Sequence, residues 1–333
     1  MITLPHRSKA VSDWPQQLRD AWRDGHALLD HLGLEPAALG LDPDSPFPLR
    51  VPRAFVDRMR KGDPADPLLR QVLPRTDERP AVEGFDTDPV GDAASRAGAG
   101  LLHKYHGRVL VITTGACAIH CRYCFRREFP YAEHQARASE FDALADYLAD
   151  RPDVTEIILS GGDPLMLSTD RLRRLGDVLS DAPGLKRLRI HTRMPVTLPA
   201  RVDETLCDWL AALPWASVVV VHANHAQEFD AEVAGSLARL RDAGSWVLNQ
   251  AVLLAGVNDD ADALADLMET GFEAGALPYY LHLLDRVHGS AHFEVDEATA
   301  SQLVETLRRR LPGYLVPRLV RERAGAPYKL PVL

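Results

Sequence analysis

Cysteine is scarce in this sequence, four residues in 333, too few to staple a chain of this size together with disulfides. No uncharged apolar run approaches the roughly 18 residues that a membrane span needs; residues 109–119 are among the longest. The opening stretch MITLPHRSKAVSDWPQQ lacks the apolar core of a secretory signal, so a cytoplasmic address is expected. Basic residues are outnumbered, 38 Lys and Arg against 47 Asp and Glu, for a net charge of −9. That balance argues against a general nucleic-acid binder and leaves room only for local basic patches. No self-similar repeat and no low-complexity tract stands out. What is present is ordinary for a globular protein, 46% apolar and 26% charged. The length suits two domains at roughly 150 residues each, or one barrel-sized domain with an appendage. Against that background the few cysteines need a reason.

The first hundred residues read differently from the rest. Ser12 and Asp13 offer helix caps, Pro15 suits a first turn, and Leu18 and Trp22 sit four apart. Pro52, Phe55, Val56 and Met59, closed by Gly62, predict a second short helix. From Arg75 to Asp92 the chain is acidic and rich in proline and glycine, as in an exposed connection. Residues 1–92 are therefore expected to form a small helical appendage with an acidic linker, and 93–333 the main domain.

From Arg108 a rhythm sets in. Apolar, β-branched runs at 108–113, 155–160, 187–192, 217–222, 246–253 and 278–283 alternate with segments of helical spacing. Those segments carry Leu144, Tyr147 and Leu148; Leu172, Leu175 and Leu179; Val202, Leu206 and Leu210; Val233, Leu237 and Leu240; and Leu264, Leu267 and Met268. A last helix over 297–310 leads to a seventh strand near 314–320. Alternation of this kind predicts an α/β fold with a parallel sheet and helices outside it. Six units and a closing strand are too few for an eight-fold barrel, so a partial (β/α)6 barrel is expected. Residues capable of chemistry collect where the strands end: Cys117–Arg127, Ser160-Gly161-Gly162-Asp163-Pro164, His191 and Arg193, His222, Asn224 and His225, and Asp285. Asn249 and Gln250 lie within the fifth run. In α/β barrels that end carries the active site. The basic runs 171–174 and 186–189 read as solvated faces.

The sharpest signal is Cys117-(x3)-Cys121-(x2)-Cys124 on the loop leaving the first of these strands. Three thiolates so close in sequence can converge on one soft metal centre. A structural zinc site would need a fourth ligand. Cys207 falls on an apolar helix face, and His120 is awkwardly placed beside Cys121. Three ligands on a 4Fe-4S cluster would leave one iron for a non-protein ligand.

CAIHCRYC after the first strand of a partial barrel resembles the radical S-adenosylmethionine enzymes, in which that iron is chelated by S-adenosylmethionine. The segment Ser160, Gly161, Gly162 and Asp163 resembles the one that holds its amino group. The match extends through HKYHGRVLVITTGACAIHCRYCFRREFPY, LSGGDPL, RMPVTLP, NQAVLLAGVND, PYYLHLLD and PGYLVPRLV. Together these resemble the lysine 2,3-aminomutases over roughly residues 85–333. The chain looks most like their short bacterial form, which makes β-lysine for modifying elongation factor P. WPQQLRDAWRDGHALLDHLGL is similar to that form's N-terminal section. The longer clostridial type carries further cysteines for zinc in a C-terminal extension, which is expected to be absent here, since no cysteine follows Cys207.

The resemblance implies three cofactors, a 4Fe-4S cluster, S-adenosylmethionine and pyridoxal phosphate, and assigns residues to them. Lys329 matches the lysine that carries the pyridoxal aldehyde, a role that requires a neutral amine and hence partial burial. Its approach, Ala324-Gly325-Ala326-Pro327-Tyr328, is stiffer than the family's glycine-rich one. Lys104 and Arg108 match the phosphate binders, Lys104 replacing a common arginine, so a bidentate grip becomes a point charge. Arg126 matches the arginine that binds the substrate carboxylate. Asp285 and Glu322 match the acidic pair that holds the distal ammonium, Glu322 standing where aspartate is usual. His222, Asn224, His225 and Gln250 are expected near S-adenosylmethionine. The implied activity is isomerisation of L-lysine to β-lysine, with a reducing electron donor and a functional link to elongation factor P and its lysyl ligase. No membrane or direct nucleic-acid partner is implied, and a homo-oligomer is left open. Two other readings stay beside this one: an aminomutase for another amino acid, and a metal-stabilised binding module of the translation machinery without catalysis.

Overall fold

The computed structural model describes residues 13–98, 100–131 and 141–332. Short helices come first: α1 (Trp14–Arg19), α2 (Gly25–Leu32), α3 (Pro36–Leu39), α4 (Arg53–Val56) and α5 (Pro67–Arg70). The ends of α2 follow from its sequence. The Asp24 carboxylate accepts from the His26 and Ala27 amides, and Gly33, at φ +70°, closes the helix in a left-handed turn. Ser12 lies outside the described residues, and Asp13 caps α1 without a side-chain hydrogen bond. Trp22 does not continue α1; it pairs with Val51 in an isolated antiparallel bridge.

These helices share a core of their own, in which Leu28, Leu29, Leu32, Phe55, Leu68 and Leu69 are almost wholly buried. Ile119, from between the motif cysteines, is part of it. At roughly 1.5–3 kcal/mol for each buried aliphatic side chain, this core holds the cysteine loop down from one side. Helix α1 packs elsewhere: Trp14 and Leu18 lie against the core of the main sheet.

That sheet contains ten strands among the described residues, β1 (Arg96–Gly98), β2 (Leu101–Tyr105), β3 (Arg108–Thr114), β4 (Glu156–Gly161), β5 (Arg187–Thr192), β6 (Ala216–Val221), β7 (Trp246–Val252), β8 (Leu277–His282), β9 (Arg318–Arg321) and β10 (Leu330–Pro331). Each pairs with the next in sequence. From β3 to β9 the pairing is parallel; β1, β2 and β10 are antiparallel additions at the two edges. Helices α6 (Phe141–Ala149), α7 (Thr169–Leu179), α8 (Met194–Thr197), α9 (Glu204–Ala211), α10 (Ala231–Asp242), α11 (Ala261–Glu273) and α12 (Glu297–Arg310) supply the crossovers that parallel neighbours require. The partial barrel expected from the alternating runs is present, with β9 as its seventh parallel strand.

Two patterns set the layers. Leu172, Leu175 and Leu179 on α7, and Leu264, Leu267 and Met268 on α11, bury their stripes against outward strand residues such as Val109, Val111, Ile157, Leu159, Leu188 and Ile190. The intervening residues point inward. Ser168, Asp203, Asp230, Asp260 and Asp296 each accept a backbone N–H as helix N-caps, a contribution of typically ~1 kcal/mol apiece. No helix among the described residues is long and apolar enough to cross a membrane.

Two expectations need correction. The stretch 75–92 is not simply an exposed connection, since Glu78, Phe85, Val90 and Asp92 are buried. Its acids are counter-ions for arginines of the cysteine loop, which composition does not reveal. Arg189 is not on a solvated face either. Alternation along β5 turns Leu188 outward and Arg189 inward, where it pairs with Glu156.

Candidate active site

The carboxyl ends of the strands and the loops above them enclose a cavity of about 810 Å³. All three motif cysteines line it, as do Arg126, the 160–163 segment, His222, Gln250, Asp285, Glu322, Lys329, Lys104 and Arg108. Asn224 and His225 do not. Asn224 is buried behind the wall, its Oδ1 accepting from the Val252 amide, and His225 Nδ1 accepts from the Gln227 amide to start a short 3-10 turn.

The two glycines after β4 are required by close approach. A Cβ on Gly161, at φ +116°, would lie 2.6 Å from the Thr114 carbonyl oxygen, and one on Gly162 would be driven into the Ala116 carbonyl. The Gly162 and Asp163 amides donate to those same carbonyls, at 2.7 and 2.9 Å. The cysteine loop and the glycine turn are thus held edge to edge. Asp163 turns its carboxylate away from ligand duty. It accepts from the Leu165, Arg193 and Met194 amides and from Thr192 Oγ1. Burial still pushes that carboxyl up. Its task is to fix the chain leaving β5, and the segment meets the cavity through the Ser160 hydroxyl and the glycine turn.

Burial, together with the neighbouring Cys124, Asp163 and Cys121, raises the Cys117 thiol well above its usual range. Burial and Cys121 push Cys124 up to about 11. Two thiols so placed ionise readily only against a positive centre, and this donor set therefore suits a soft, cationic metal cluster. Among the described residues no three His, Cys, Asp or Glu side chains are gathered around a single-ion site. His120 is turned aside, stacked on Phe47 with Nδ1 on the Pro48 carbonyl. Cys207 packs on the barrel exterior near Arg239.

Also on the cavity wall, His191 and His282 project from β5 and β8, and His222 directly follows β6. Burial holds all three imidazoles neutral, His222 down at about 3 with Arg193 and Lys329 adding to the effect. His282 Nε2 and Gln250 Oε1 are buried without a hydrogen-bond partner. Unsatisfied polar atoms on a cavity wall fit a polar occupant, since leaving them unpaired costs roughly 1–3 kcal/mol each.

Across the open side of the sheet runs a chain of alternating charge. Lys329 Nζ pairs with Glu322 Oε2, and Glu322 Oε1 with Lys104 Nζ at 3.2 Å. Lys104 reaches Asp92 at 2.7 Å, Asp92 reaches Arg126 Nε at 2.8 Å, and Arg126 Nη1 donates to Ser160 Oγ at 3.0 Å. Lys329 is no solvated tail residue. Strand β10 pairs back on β9 and returns it beside Glu322, with its side chain 23% exposed. Burial alone would raise Glu322, yet the ammonium groups of Lys329 and Lys104 bring it down to about 2. Asp285 is raised to about 7, mainly by burial, with Lys329 opposing and Glu322 assisting. Arg108 lies over the Tyr105 ring at 5.0 Å; among the described residues no carboxylate comes within ion-pair distance of it. A half-buried lysine amine and a guanidinium without a carboxylate partner share one cavity, as an anionic aldehyde cofactor would need.

Asp92 was not legible as a site residue, because composition places it in the acidic linker. Nor were Glu78, which pairs with Arg122 and Arg127, and His282. Inward alternation along PYYLH was the one available signal for His282.

Comparison with known proteins decides the family. The chain is 46% identical to the Escherichia coli (strain K12) protein named L-lysine 2,3-aminomutase, over 100% of this chain and 97% of that one. It belongs to the lysine 2,3-aminomutase family. A protein of the same name from Haemophilus influenzae is 43% identical, with 95% and 94% covered, and one from Clostridium subterminale 32% identical, with 84% and 67% covered. A family profile described as the radical SAM superfamily matches residues 111–268. The crystal structure of a radical SAM methyltransferase from Sphaerobacter thermophilus superposes with a TM-score of 0.50 at 19% identity, covering 68% of this chain and 69% of that one, and so shares the fold. Membership implies a 4Fe-4S cluster, S-adenosylmethionine and pyridoxal phosphate as cofactors, the groups that the cavity's donors fit.

Proposed function

We propose that this protein is an L-lysine 2,3-aminomutase, isomerising L-α-lysine to β-lysine in the cavity above β3–β9. The observation that carries the reading is the convergence of three thiols, a half-buried lysine, an arginine and two carboxylates on one enclosure. Cys117, Cys121 and Cys124 would hold the cluster. The Gly161–Gly162 backbone, His222 and Gln250 would line the S-adenosylmethionine site. Lys329 would join the pyridoxal aldehyde, with Arg108 and Lys104 toward its phosphate. When bound, the cluster with S-adenosylmethionine supplies hydrogen-atom abstraction at carbon, and pyridoxal phosphate supplies a conjugated system on the migrating nitrogen.

The chain's own residues do the selecting. Arg126, its guanidinium held by Asp92 and Ser160, would take the carboxylate of lysine, and Asp285 with Glu322 the distal ammonium. Amino acids lacking that ammonium would leave the buried Asp285 without a cation partner, whereas Glu322 keeps its pair with Lys104. Lys329 pairs with Glu322; a Lys329 engaged with the pyridoxal aldehyde would leave Glu322 to Lys104 and the substrate ammonium. The N-terminal helices, whose core includes Ile119, would help keep water from the cysteine loop. The β-lysine product would serve the modification of elongation factor P in the cytoplasm, with electrons from a cellular reductant.

The test is an anaerobic assay after iron–sulfur reconstitution, with L-lysine, S-adenosylmethionine, pyridoxal phosphate and dithionite, following β-lysine by mass spectrometry. β-Lysine that disappears in Cys121→Ala and in Lys329→Ala supports the reading. Cleavage of S-adenosylmethionine without β-lysine would overturn the substrate and leave the radical chemistry standing. Full turnover by a chain deleted for residues 1–80 would remove the covering role of the helices.

A further inference from the structure

One cysteine of the motif carries a charged hydrogen-bond donor. Arg193, the residue after β5, donates from Nη1 to Cys121 Sγ at 2.8 Å. Its Nη2 donates to Gln71 Oε1 at 2.6 Å and to Glu228 Oε2 at 2.9 Å. Glu228 is wholly buried; its Oε1 accepts from Gln71 Nε2 at 3.0 Å and from the Asn224 amide at 2.8 Å. Asn224 Nδ2 donates to Gln71 Oε1 at 2.9 Å and to the Tyr123 hydroxyl at 2.6 Å. The guanidinium lies between the Phe55 and Tyr123 rings, 5.3 and 5.7 Å from their centroids.

Three parts of the chain therefore fix one cation against one sulfur: the segment after α5, the end of β5 and the loop after β6. A guanidinium keeps its charge in any protein setting. Here it is 5% exposed, so solvent screens it little. The reduction potential of an iron–sulfur cluster responds to net charge, to hydrogen bonds on its sulfurs and to solvent exposure, and Arg193 brings the first two to Cys121. Glu228, one guanidinium further away, acts in the opposite sense.

We propose that Arg193, anchored by Glu228 and Gln71, is a positioning residue that sets the reduction potential of the cluster. Through Gln71 the N-terminal section takes part in that setting. The inference rests on reading the three cysteines as cluster ligands. The step concerned is the uptake of one electron from dithionite, which makes the cluster one charge more negative. Arg193 stabilises the reduced form and Glu228 destabilises it.

The experiment is a redox titration of the reconstituted full chain, without S-adenosylmethionine or lysine, followed by electron paramagnetic resonance alongside iron and sulfide analysis. R193Q keeps an N–H donor and loses the charge. Its ratio of reduced to oxidised cluster at fixed potential should fall at least tenfold, about 59 mV for a one-electron couple. E228Q keeps the shape and removes the opposing charge, and its ratio should rise. A purely structural role predicts no such opposite pair. Unchanged potentials in both variants, or shifts of the same sign, overturn the proposal. Should R193Q fail to take up iron, E228Q decides, since a null or negative shift there overturns it equally. A wild-type chain that binds no iron and sulfide defeats the cluster reading itself, a result distinct from either.

Discussion

Lysine binding to the pyridoxal-loaded enzyme should weaken as pH falls below 7, with a slope that approaches about tenfold per unit, through Asp285. Its carboxyl is raised to about 7 by burial, against the pull of the Lys329 ammonium. Only the ionised carboxylate can receive a distal ammonium, and the apparent dissociation constant scales inversely with the competent fraction. With a midpoint of 7 that fraction is about one half at pH 7 and about one eleventh at pH 6. The binding constant measured at pH 6 should then be about elevenfold weaker than the alkaline plateau. Glu322 stays paired with Lys104, so the slope is assigned to Asp285. Calorimetric titration between pH 6 and 8, in two buffers of different ionisation enthalpy, reads both the affinity and the proton released on binding. Asp285→Asn should flatten the profile at its acid level. Norleucine, which lacks the distal ammonium, should show no slope from this group in either protein. A level lysine profile in the wild type, or a slope that survives in Asp285→Asn, would refute the assignment.

The same carboxyl affects stability with a definite sign. The folded chain binds the Asp285 proton more tightly than the unfolded chain, so stability from Asp285 declines as pH rises from about 4 to 7; Asp285→Asn should remove that decline in denaturant titrations. Glu78→Ala leaves the buried Arg122 and Arg127 without their carboxylate and should cost roughly 3–5 kcal/mol, read from the denaturation midpoint. Gly162→Ala should reduce iron loading and S-adenosylmethionine binding together in equilibrium dialysis. Gly313→Ala, where an added methyl meets nothing within 4 Å, should leave both unchanged. Cys207→Ser should retain full iron content, whereas Cys124→Ser should lose most of it.

The sequence by itself determined the elements and their order. Alternating apolar periods of two and about four over 108–320 can be satisfied only by strands covered with helices, and each strand found its partner in the next run. The cysteine spacing, a local property of one loop, was equally readable. So was Lys329, though only through likeness to a family, since nothing local separates it from a tail lysine. The tertiary structure decided which charges meet. Glu78 and Asp92 looked like linker acids because composition records their exposure-prone type and not the arginines folded over them. Arg189 looked solvated until the pleat of β5 turned it inward. Asp163 shared a motif with two glycines, yet its carboxylate went to the backbone after β5. Arg193, Glu228 and Gln71 lie far apart in the chain, and their joint hold on Cys121 exists only where three separate segments pack. Ion pairing and desolvation depend on distances through space, and no one-dimensional pattern carries those.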